Sequence, residues 1–288
     1  MSRKYSYLTL QNPPWGSYDA NMKKIPSFFD LTGRVALVTG GGQNFGLEIA
    51  TGLAEAGADL AITSRELDKA QRVAAALKKQ FKVRVLPLTM NLFDESSIQA
   101  VFADVVRHYG RLDILVNNAG GHSKGVTGRL DTEPLDGFQQ YLTANLAGPF
   151  LCMREASKWM MKQKSGSIIN IASVSSLLGR DRRVYAGTAM TPNPFPYTAA
   201  KAGLIGLTYD AAAYLGKYGV RVNAVSPGGF ERGQPPSFIK AYAERTMLGR
   251  MGRDGKDLRG VVTFLAGDAA AYVTGHNLYV DGGFSRFK

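Results

Sequence analysis

Strand-like and helix-like segments alternate along the chain from residue 34 to residue 280, and this order constrains the fold more than any other feature. The strand-like segments are short apolar runs rich in β-branched residues, such as residues 34–39 and 167–171. Such strands separated by amphipathic helices are typical of a parallel sheet covered on both faces and joined by right-handed crossovers. We therefore predict one α/β domain with a doubly wound parallel sheet of about seven strands.

The predicted strands cover residues 34–39, 59–63, 83–90, 112–116, 167–171, 220–225 and 277–280, and the predicted helices cover residues 45–56, 66–80, 94–109, 135–162, 197–217 and 256–266. Residues 1–30 stand apart because they carry six aromatic residues and no clear periodicity. A solvated tail would be poor in aromatic residues. We predict an N-terminal arm at residues 1–30 that docks on its own or a neighbouring subunit, with disorder as the alternative, followed by the domain at residues 31–288.

Several classes of protein are excluded by composition. No apolar run approaches the length of about 18 residues that a membrane span needs. No apolar segment follows the basic residues near the N-terminus, so a signal peptide is not expected and a cytoplasmic location is the default. A single cysteine, Cys152, and three widely separated histidines rule out a disulfide framework and predict no metal site.

The net charge of +12 comes from 35 Lys and Arg against 23 Asp and Glu. It fits a solvated basic surface, and it equally fits an acidic small-molecule substrate or a phosphorylated cofactor. The basic residues are scattered rather than gathered in a stripe, so we do not expect nucleic acid as a partner.

A glycine-rich turn, TGGGQNFG at residues 39–46, follows the first predicted strand and opens a helix. Glycines in that place let backbone amides and the helix N-terminus approach a pyrophosphate, although a tight turn without a ligand is the alternative. The end of the second strand reads Ser64-Arg65, where an NAD-binding unit would carry Asp or Glu for the ribose hydroxyls. Because Arg65 could pair with a 2′-phosphate, this favours NADP and leaves NAD possible.

Tyr197 and Lys201 are four residues apart on a predicted helix, which places them on one face. A phenol has a pKa near 10, and a neighbouring ammonium favours the phenolate. This pair could therefore exchange a proton near neutral pH.

With these motifs, the chain resembles the short-chain dehydrogenases/reductases over residues 31–284. The motifs that carry the resemblance are TGGGQNFG at 39–46, Asn117-Asn118-Ala119-Gly120, Asn145 in TANLAGPF, Ser173 in IINIAS, Tyr197-x-x-x-Lys201, Ser226-Pro227-Gly228 and the ending YVTGHNLYVDGGF. The resemblance implies a Rossmann-type fold, a nicotinamide cofactor, hydride transfer without a metal, and a homotetramer.

The resemblance also implies roles for single residues. Tyr197 exchanges a proton with the substrate oxygen, Ser173 hydrogen-bonds that oxygen, and Lys201 lowers the pKa of Tyr197 and holds the nicotinamide ribose. Asn145 positions a water that relays protons to Lys201. The residues implied in cofactor binding are Gly40, Gly42, Gln43, Asn44, Phe45, Gly46, Ser64, Arg65, Asn91, Leu92, Asn118, Ala119, Gly120, Tyr197, Lys201, Pro227, Gly228 and Phe230.

Four features depart from the family pattern. Asn44 replaces the middle glycine of the turn, and Asn tolerates left-handed geometry better than most residues. Asn91 stands where an Asp usually lies beside adenine, and Arg232 stands where a Thr often contacts the carboxamide. Ser173 and Tyr197 are further apart than in most relatives, so we expect residues 176–196 to bulge out beside the substrate.

Loops at residues 121–129, 176–196 and 229–250 are predicted to form the substrate pocket. They are rich in arginine, which favours a polar, anionic sugar or sugar acid, and the candidate substrate-binding residues are His122, Arg129, Arg180, Arg183 and Arg232. A reductase of less polar carbonyls such as 3-oxoacyl groups, cyclic ketones or steroids is the alternative, because Val184, Tyr185, Met190, Phe195 and Phe238 could line an apolar pocket. An inactive cofactor-binding scaffold is a third reading.

Overall fold

The computed structural model describes residues 25–121 and 126–287. The strands and α-helices follow in the order β1 (Val35–Val38), α1 (Asn44–Glu55), β2 (Asp59–Ser64), α2 (Leu67–Phe81), β3 (Val85–Thr89), α3 (Glu95–Tyr109), β4 (Ile114–Asn117), α4 (Leu135–Leu142), α5 (Gly148–Gln163), β5 (Gly166–Ile171), α6 (Phe195–Leu215), β6 (Val220–Pro227), β7 (Phe230–Glu231), α7 (Pro236–Ala243), β8 (Gly252–Arg253), α8 (Arg259–Ala266) and β9 (Asn277–Val280). Short 3-10 turns lie at Ile25–Phe28, Val174–Ser176, Arg182–Tyr185, Gly216–Tyr218 and Asp268–Ala270, and a π-helical turn lies at Thr143–Ala147.

Seven strands form one parallel sheet in the order β3-β2-β1-β4-β5-β6-β9, which confirms the predicted α/β fold. The chain runs outward from β1 through β2 to β3 and then returns to β4 on the other side of β1. The strand order therefore reverses between β1 and β4. In sheets of this kind ligands bind at the carboxyl ends of the strands beside that reversal.

The core is two apolar layers, one on each face of the sheet. Side chains of β1 alternate between them, since Ala36 and Val38 pack toward α1, α2 and α8 while Val35 and Leu37 pack toward α3, α5 and α6. All four are buried, as expected for a strand in the middle of a sheet that helices cover on both faces. The core thus fixes the strand ends on which the site is built.

The predicted helix at residues 135–162 is in fact α4 and α5 separated by the π-helical turn. Pro149 has no N–H, so the carbonyl of Asn145 cannot form the usual α-helical bond, and the ladder is locally rearranged. The last predicted helix begins at Arg259 instead of residue 256. Helix α7 and the two-residue strands β7 and β8 were not predicted, because such short elements carry little periodicity.

The predicted N-terminal arm falls mostly on residues 1–24, which lie outside the described part of the chain. Domain packing begins at Leu31, whose side chain is buried and whose N–H donates to the carbonyl of Ala56. Within residues 25–121 and 126–287 no helix has the length and apolar character that a membrane crossing requires.

Candidate active site

A cleft of about 320 Å³ lies at the carboxyl ends of β1, β2, β3 and β4, and we call it the strand-end cleft. Thirteen of the residues predicted to bind a cofactor line it: Gly40, Gly42, Gln43, Asn44, Phe45, Gly46, Ser64, Arg65, Asn91, Leu92, Asn118, Ala119 and Gly120. The sheet therefore brings together groups from four separate stretches of sequence. The amide oxygen of Asn91 accepts a hydrogen bond from the Phe93 N–H at 3.1 Å, which fixes its side chain at the rim.

The turn between β1 and α1 can be built only with particular residues. Gly40 has a φ of +66°, and a Cβ on Gly46 would lie 2.0 Å from the Gly40 carbonyl oxygen. Asn44 has a φ of 49°, the left-handed backbone for which its residue type was expected to serve. Gln43 precedes α1 without a side-chain cap, so the first amides of the helix face the cleft without a capping side chain. This cradle fits a pyrophosphate.

Thr39 organises the floor of the strand-end cleft, and sequence reasoning missed it. Its hydroxyl oxygen accepts hydrogen bonds from the N–H groups of Asn118 at 3.0 Å and Ala119 at 2.9 Å, and the Asn118 amide donates back to the Thr39 carbonyl at 2.9 Å. Thr39 is buried. These bonds join the ends of β1 and β4, and the signal in the sequence was a hydroxyl residue at the last position before the glycine turn.

A second cation accompanies Arg65 at the far end of the strand-end cleft. Lys69 lies one turn into α2, lines the cleft, and places its ammonium 2.7 Å from a carboxylate oxygen of Glu66. A Cβ on Gly42 would stand 3.5 Å from the Lys69 Cβ and 3.6 Å from that of Ser64. The glycine turn, Ser64 and two basic side chains therefore meet in one place, which suits a phosphate group on a ribose. Lys69 was not predicted, although its spacing of four from Arg65 was visible.

A second cavity, of about 460 Å³, adjoins the strand-end cleft, and we call it the reaction cavity. Its lining contains Asn145, Ser173, Tyr197 and Lys201, together with Pro227 and Gly228. Ser173 follows β5, Tyr197 and Lys201 lie one turn apart on α6, and Asn145 belongs to the π-helical turn. Groups from three elements thus converge on one small volume.

Burial shifts the pKa values of Tyr197 and Lys201 in opposite directions. Burial raises the pKa of the Tyr197 phenol, while its hydrogen bond with Ser173 and the Arg180 guanidinium act in the other direction. Burial lowers the pKa of Lys201 to about 8, and its Nζ donates to the carbonyl oxygen of Ile171 at 2.7 Å. The Arg180 guanidinium is thus one cation that opposes the rise in the Tyr197 pKa, and the Nζ of Lys201 lies 5.9 Å from the centroid of the Tyr197 ring.

Contacts with neighbouring residues orient the side chains of Tyr197 and Asn145. The ring of Tyr141 stands edge-on to the ring of Tyr197, with centroids 6.3 Å apart and planes at 87°. The Asn145 amide donates to the carbonyl oxygens of Tyr141 and Gly121, each at 3.0 Å, and a Cβ on Gly120 would lie 2.4 Å from the Asn145 amide oxygen. These contacts hold the Asn145 side chain in one orientation at the edge of the reaction cavity.

Residues 176–196 form the outer wall of the reaction cavity. The members of this wall that line the cavity are Leu178, Gly179, Arg180, Asp181, Val184, Tyr185, Met190, Thr191 and Asn193. Aromatic side chains from α7 and the C-terminal segment face them, with Tyr242 stacked on Phe284 at a centroid distance of 4.6 Å. Asp181 fixes the wall to the segment that follows α7, because its carboxylate accepts a hydrogen bond from Arg245 Nε at 2.8 Å.

Three predicted substrate residues lie elsewhere, which corrects that prediction. The side chains of Arg183 and Arg129 are 84% and 69% exposed, line neither cavity, and pair with Asp181 and Asp131.

Arg232 borders the strand-end cleft instead, where its guanidinium stacks over the ring of Phe45 at 4.0 Å and pairs with Asp254. In each case a nearby carboxylate decides where the guanidinium lies.

Of the remaining predicted residues, Arg180 lines the reaction cavity. His122 falls outside the described residues. Phe230 was predicted to touch the cofactor, but its ring is buried against the ring of Phe45 at 4.7 Å and lines neither cavity. The part of the chain described here contains no group of His, Cys, Asp and Glu arranged to hold a metal ion.

Comparison with known proteins gives consistent matches. A sequence model of the family described as enoyl-(acyl carrier protein) reductase matches residues 41–285. The 3-oxoacyl-(acyl-carrier-protein) reductase FabG of Staphylococcus aureus (strain Mu50) is 35% identical over 253 residues, covering 86% of this chain and 96% of that protein. The 2-dehydro-3-deoxy-D-gluconate 5-dehydrogenase of Formosa agariphila is 33% identical over 263 residues, covering 88% of this chain and 94% of that protein.

Solved structures agree with these matches. A gluconate 5-dehydrogenase from Burkholderia cenocepacia J2315, in complex with NADP and tartrate, has a TM-score of 0.81 at 32% identity, covering 91% of this chain and 99% of that one. A short-chain type dehydrogenase/reductase from Mycobacterium marinum has a TM-score of 0.80 at 31% identity, covering 92% of this chain and 100% of that one.

Proposed function

Because this chain belongs to the short-chain dehydrogenase/reductase family and is an NAD(P)-dependent alcohol/ketone oxidoreductase, we propose that it uses NADP to interconvert a hydroxyl and a ketone on a sugar acid. The observation that carries the proposal is the reaction cavity itself. Its lining brings Ser173, Tyr197 and Lys201 together with the guanidinium of Arg180. A cavity that joins polar and apolar groups and carries a cation in its wall suits a polyhydroxylated anion better than a purely apolar ketone.

The choice of NADP is supported at the far end of the strand-end cleft. Arg65 and Lys69 are the cations there, and the second strand ends without a carboxylate to hold two free ribose hydroxyls. The gluconate 5-dehydrogenase of B. cenocepacia was solved with NADP. When bound, the nicotinamide supplies or accepts the hydride.

The residues of this chain handle the proton. In reduction the Tyr197 phenol gives its proton to the substrate oxygen, and in oxidation it takes the proton of the hydroxyl. Ser173 hydrogen-bonds that oxygen, and Lys201 keeps two further N–H donors for ribose hydroxyls after its bond to the Ile171 carbonyl. Asn145, oriented by the π-helical turn, holds the water that passes protons to Lys201.

The test is a substrate and cofactor panel with the purified protein. We expect turnover of gluconate-type acids, with NADP preferred over NAD, and slow turnover of apolar cyclic ketones. Tyr197→Phe should lower kcat by at least about a hundredfold while NADP(H) still binds. Equal or faster turnover of apolar ketones would overturn the sugar-acid assignment, and an unaffected Tyr197→Phe would overturn the mechanism.

A second candidate is reduction of 3-oxoacyl thioesters. It is favoured by the identity to FabG and by the apolar part of the wall, in which Val184 and Met190 pack with Phe238. A 3-oxoacyl thioester reduced with NADPH, compared with gluconate oxidised with NADP⁺, separates the two, because only one of the classes should be turned over efficiently.

We further propose that the enzyme is a cytoplasmic homotetramer. An apolar groove across the π-helical turn, α5 and α6 supports assembly, since its lining includes Leu146, Phe150 and Leu207 and Phe150 is exposed. Apolar patches of this kind on a monomer commonly mark subunit contacts. Sedimentation of the purified protein tests it, and a monomeric species at micromolar concentration would contradict it.

A further inference from the structure

The charges that line the reaction cavity are unequally neutralised. Among described residues, three charged side chains line it: Arg180, Asp181 and Lys201. Asp181 accepts hydrogen bonds from Arg183 at 2.8 and 2.9 Å and from Arg245 at 2.8 Å. Lys201 donates to a backbone carbonyl. No carboxylate within residues 25–121 and 126–287 pairs with Arg180, so its charge faces the cavity without a counterion from that part of the chain.

Arg180 is nevertheless held in position. Its Nη2 donates to the Ser175 hydroxyl at 3.0 Å, and its Nη1 donates to the carbonyl oxygen of Asn193. These contacts use two of the five N–H donors that a guanidinium carries. A planar fork that is already oriented loses little entropy when its other donors bind a carboxylate in a bidentate way.

The guanidinium also lies beside the reacting groups. The Ser175 N–H donates a hydrogen bond to the Ser173 hydroxyl oxygen at 3.2 Å, and the Ser173 hydroxyl is hydrogen-bonded to Tyr197. Arg180 is therefore connected to the Tyr197 phenol through two serines. The charge of Arg180 acts on four tyrosines that line the cavity, namely Tyr141, Tyr185, Tyr197 and Tyr242. An anion on Arg180 would therefore share the cavity with the substrate carbon that reacts.

Resting on the function proposed above, we propose that Arg180 binds the substrate's carboxylate and is the residue that selects a sugar acid over the neutral polyol of the same length. The carboxylate takes the free N–H donors of the guanidinium, while the hydroxyl to be oxidised lies against Ser173 and Tyr197. Arg183, two residues before Tyr185 on the same wall, has no part in binding because Asp181 holds it in solvent.

The experiment compares D-gluconate with D-glucitol, which carries a hydroxymethyl group in place of the carboxylate, in the wild type, Arg180→Gln, Arg180→Lys and the control Arg183→Gln. With NADP⁺ present, Arg180→Gln should raise the KM for gluconate by about tenfold to a hundredfold and leave the KM for glucitol within about twofold. The kcat at a fixed pH should fall alike for both substrates, because Arg180 also acts on the Tyr197 phenol. Arg180→Lys should recover part of the loss, because a point charge replaces the fork. Arg183→Gln should behave like the wild type.

If Arg180 only braces the wall, Arg180→Gln would raise the KM values for gluconate and glucitol together, and that outcome overturns the inference. Calorimetric binding of tartrate to the NADP⁺ complex gives a readout that does not need turnover, and it should weaken by the same factor in Arg180→Gln. If tartrate binding depends on Arg180 but gluconate is not turned over, the proposed function is contradicted and the anion site at Arg180 is supported. If gluconate is turned over and its KM is insensitive to Arg180→Gln, only the anion site is contradicted. If Arg180→Gln does not fold, the ratio of the two substrates in Arg180→Lys decides in the same way.

Discussion

The strand-end cleft and the wall at residues 176–196 border the same site but are held by different interactions. In the cleft, buried backbone and hydroxyl groups bond one another, as when Thr39 joins the ends of β1 and β4. The wall is held by partly exposed ion pairs, such as those of Asp181 with Arg183 and Arg245. The cleft should therefore respond to added volume and to burial of charge, and the wall should respond to loss of charge and to salt.

The largest effect on stability is expected at Gly46, where the strand-end cleft has no space for a side-chain atom. In Gly46→Ala the new methyl group would collide with the Gly40 carbonyl oxygen, so the turn must shift. We expect the free energy of unfolding without nucleotide to fall by about 3 kcal/mol or more. Gly42→Ala is the matched control, because its Cβ would make only ordinary contacts at 3.5 Å, and the change should stay below about 1 kcal/mol. Urea denaturation of both variants measures the difference, and equal losses would mean that the turn is not constrained by space.

The next effect is a pH dependence of stability that arises in the reaction cavity, next to the strand-end cleft. Burial lowers the pKa of Lys201 from its ordinary value of 10.5 to about 8. Between these values the unfolded chain keeps a proton that the folded protein has released, so folded stability rises with pH. Relative to Lys201→Met, the wild type should gain roughly 2 to 3 kcal/mol between pH 7 and pH 10.5.

Denaturation curves at several pH values measure that gain. Lys256→Met removes an exposed lysine and should run parallel to the wild type across the same range. If Lys201→Met also runs parallel, the ammonium of Lys201 is not buried in solution.

The two regions also differ in how far they could be predicted from sequence. Residues such as Gly40, Asn118 and Ser173 follow strands, and parallel strands bring their carboxyl ends together, so a position in the chain implies a position in the site. No such rule holds for the arginines of the predicted substrate loops. Arg183 pairs with Asp181, and Arg232 pairs with Asp254, which lies 22 residues further along the chain. A count of basic residues therefore overstated the charge that reaches the substrate.

Acidic residues close to arginines in the sequence already indicate which arginines are neutralised by a local ion pair. Arg129 and Asp131 are two residues apart, as are Arg183 and Asp181, and each pair is visible in the sequence. Arg180 differs because its neighbour Asp181 is already paired with two other guanidinium groups, one of them from the segment that follows α7. That information is in the tertiary structure alone. Lys69 in the cleft was missed for a related reason, since only the approach of α2 to Gly42 shows that it borders a ligand site.

The smallest effect is expected from loosening the wall. Asp181→Asn removes the carboxylate that two arginines share, and the loss of the contact with Arg245 should speed amide exchange in residues 178–193. Because these ion pairs are partly exposed, the KM for gluconate should rise only about twofold to fivefold. Asp131→Asn breaks a more exposed pair outside the cavity and should change neither quantity. High ionic strength should bring the wild type closer to Asp181→Asn, since salt screens the same charges. A KM that stays unchanged in Asp181→Asn at both ionic strengths would mean that packing of Val184 against α7, rather than charge, holds the wall.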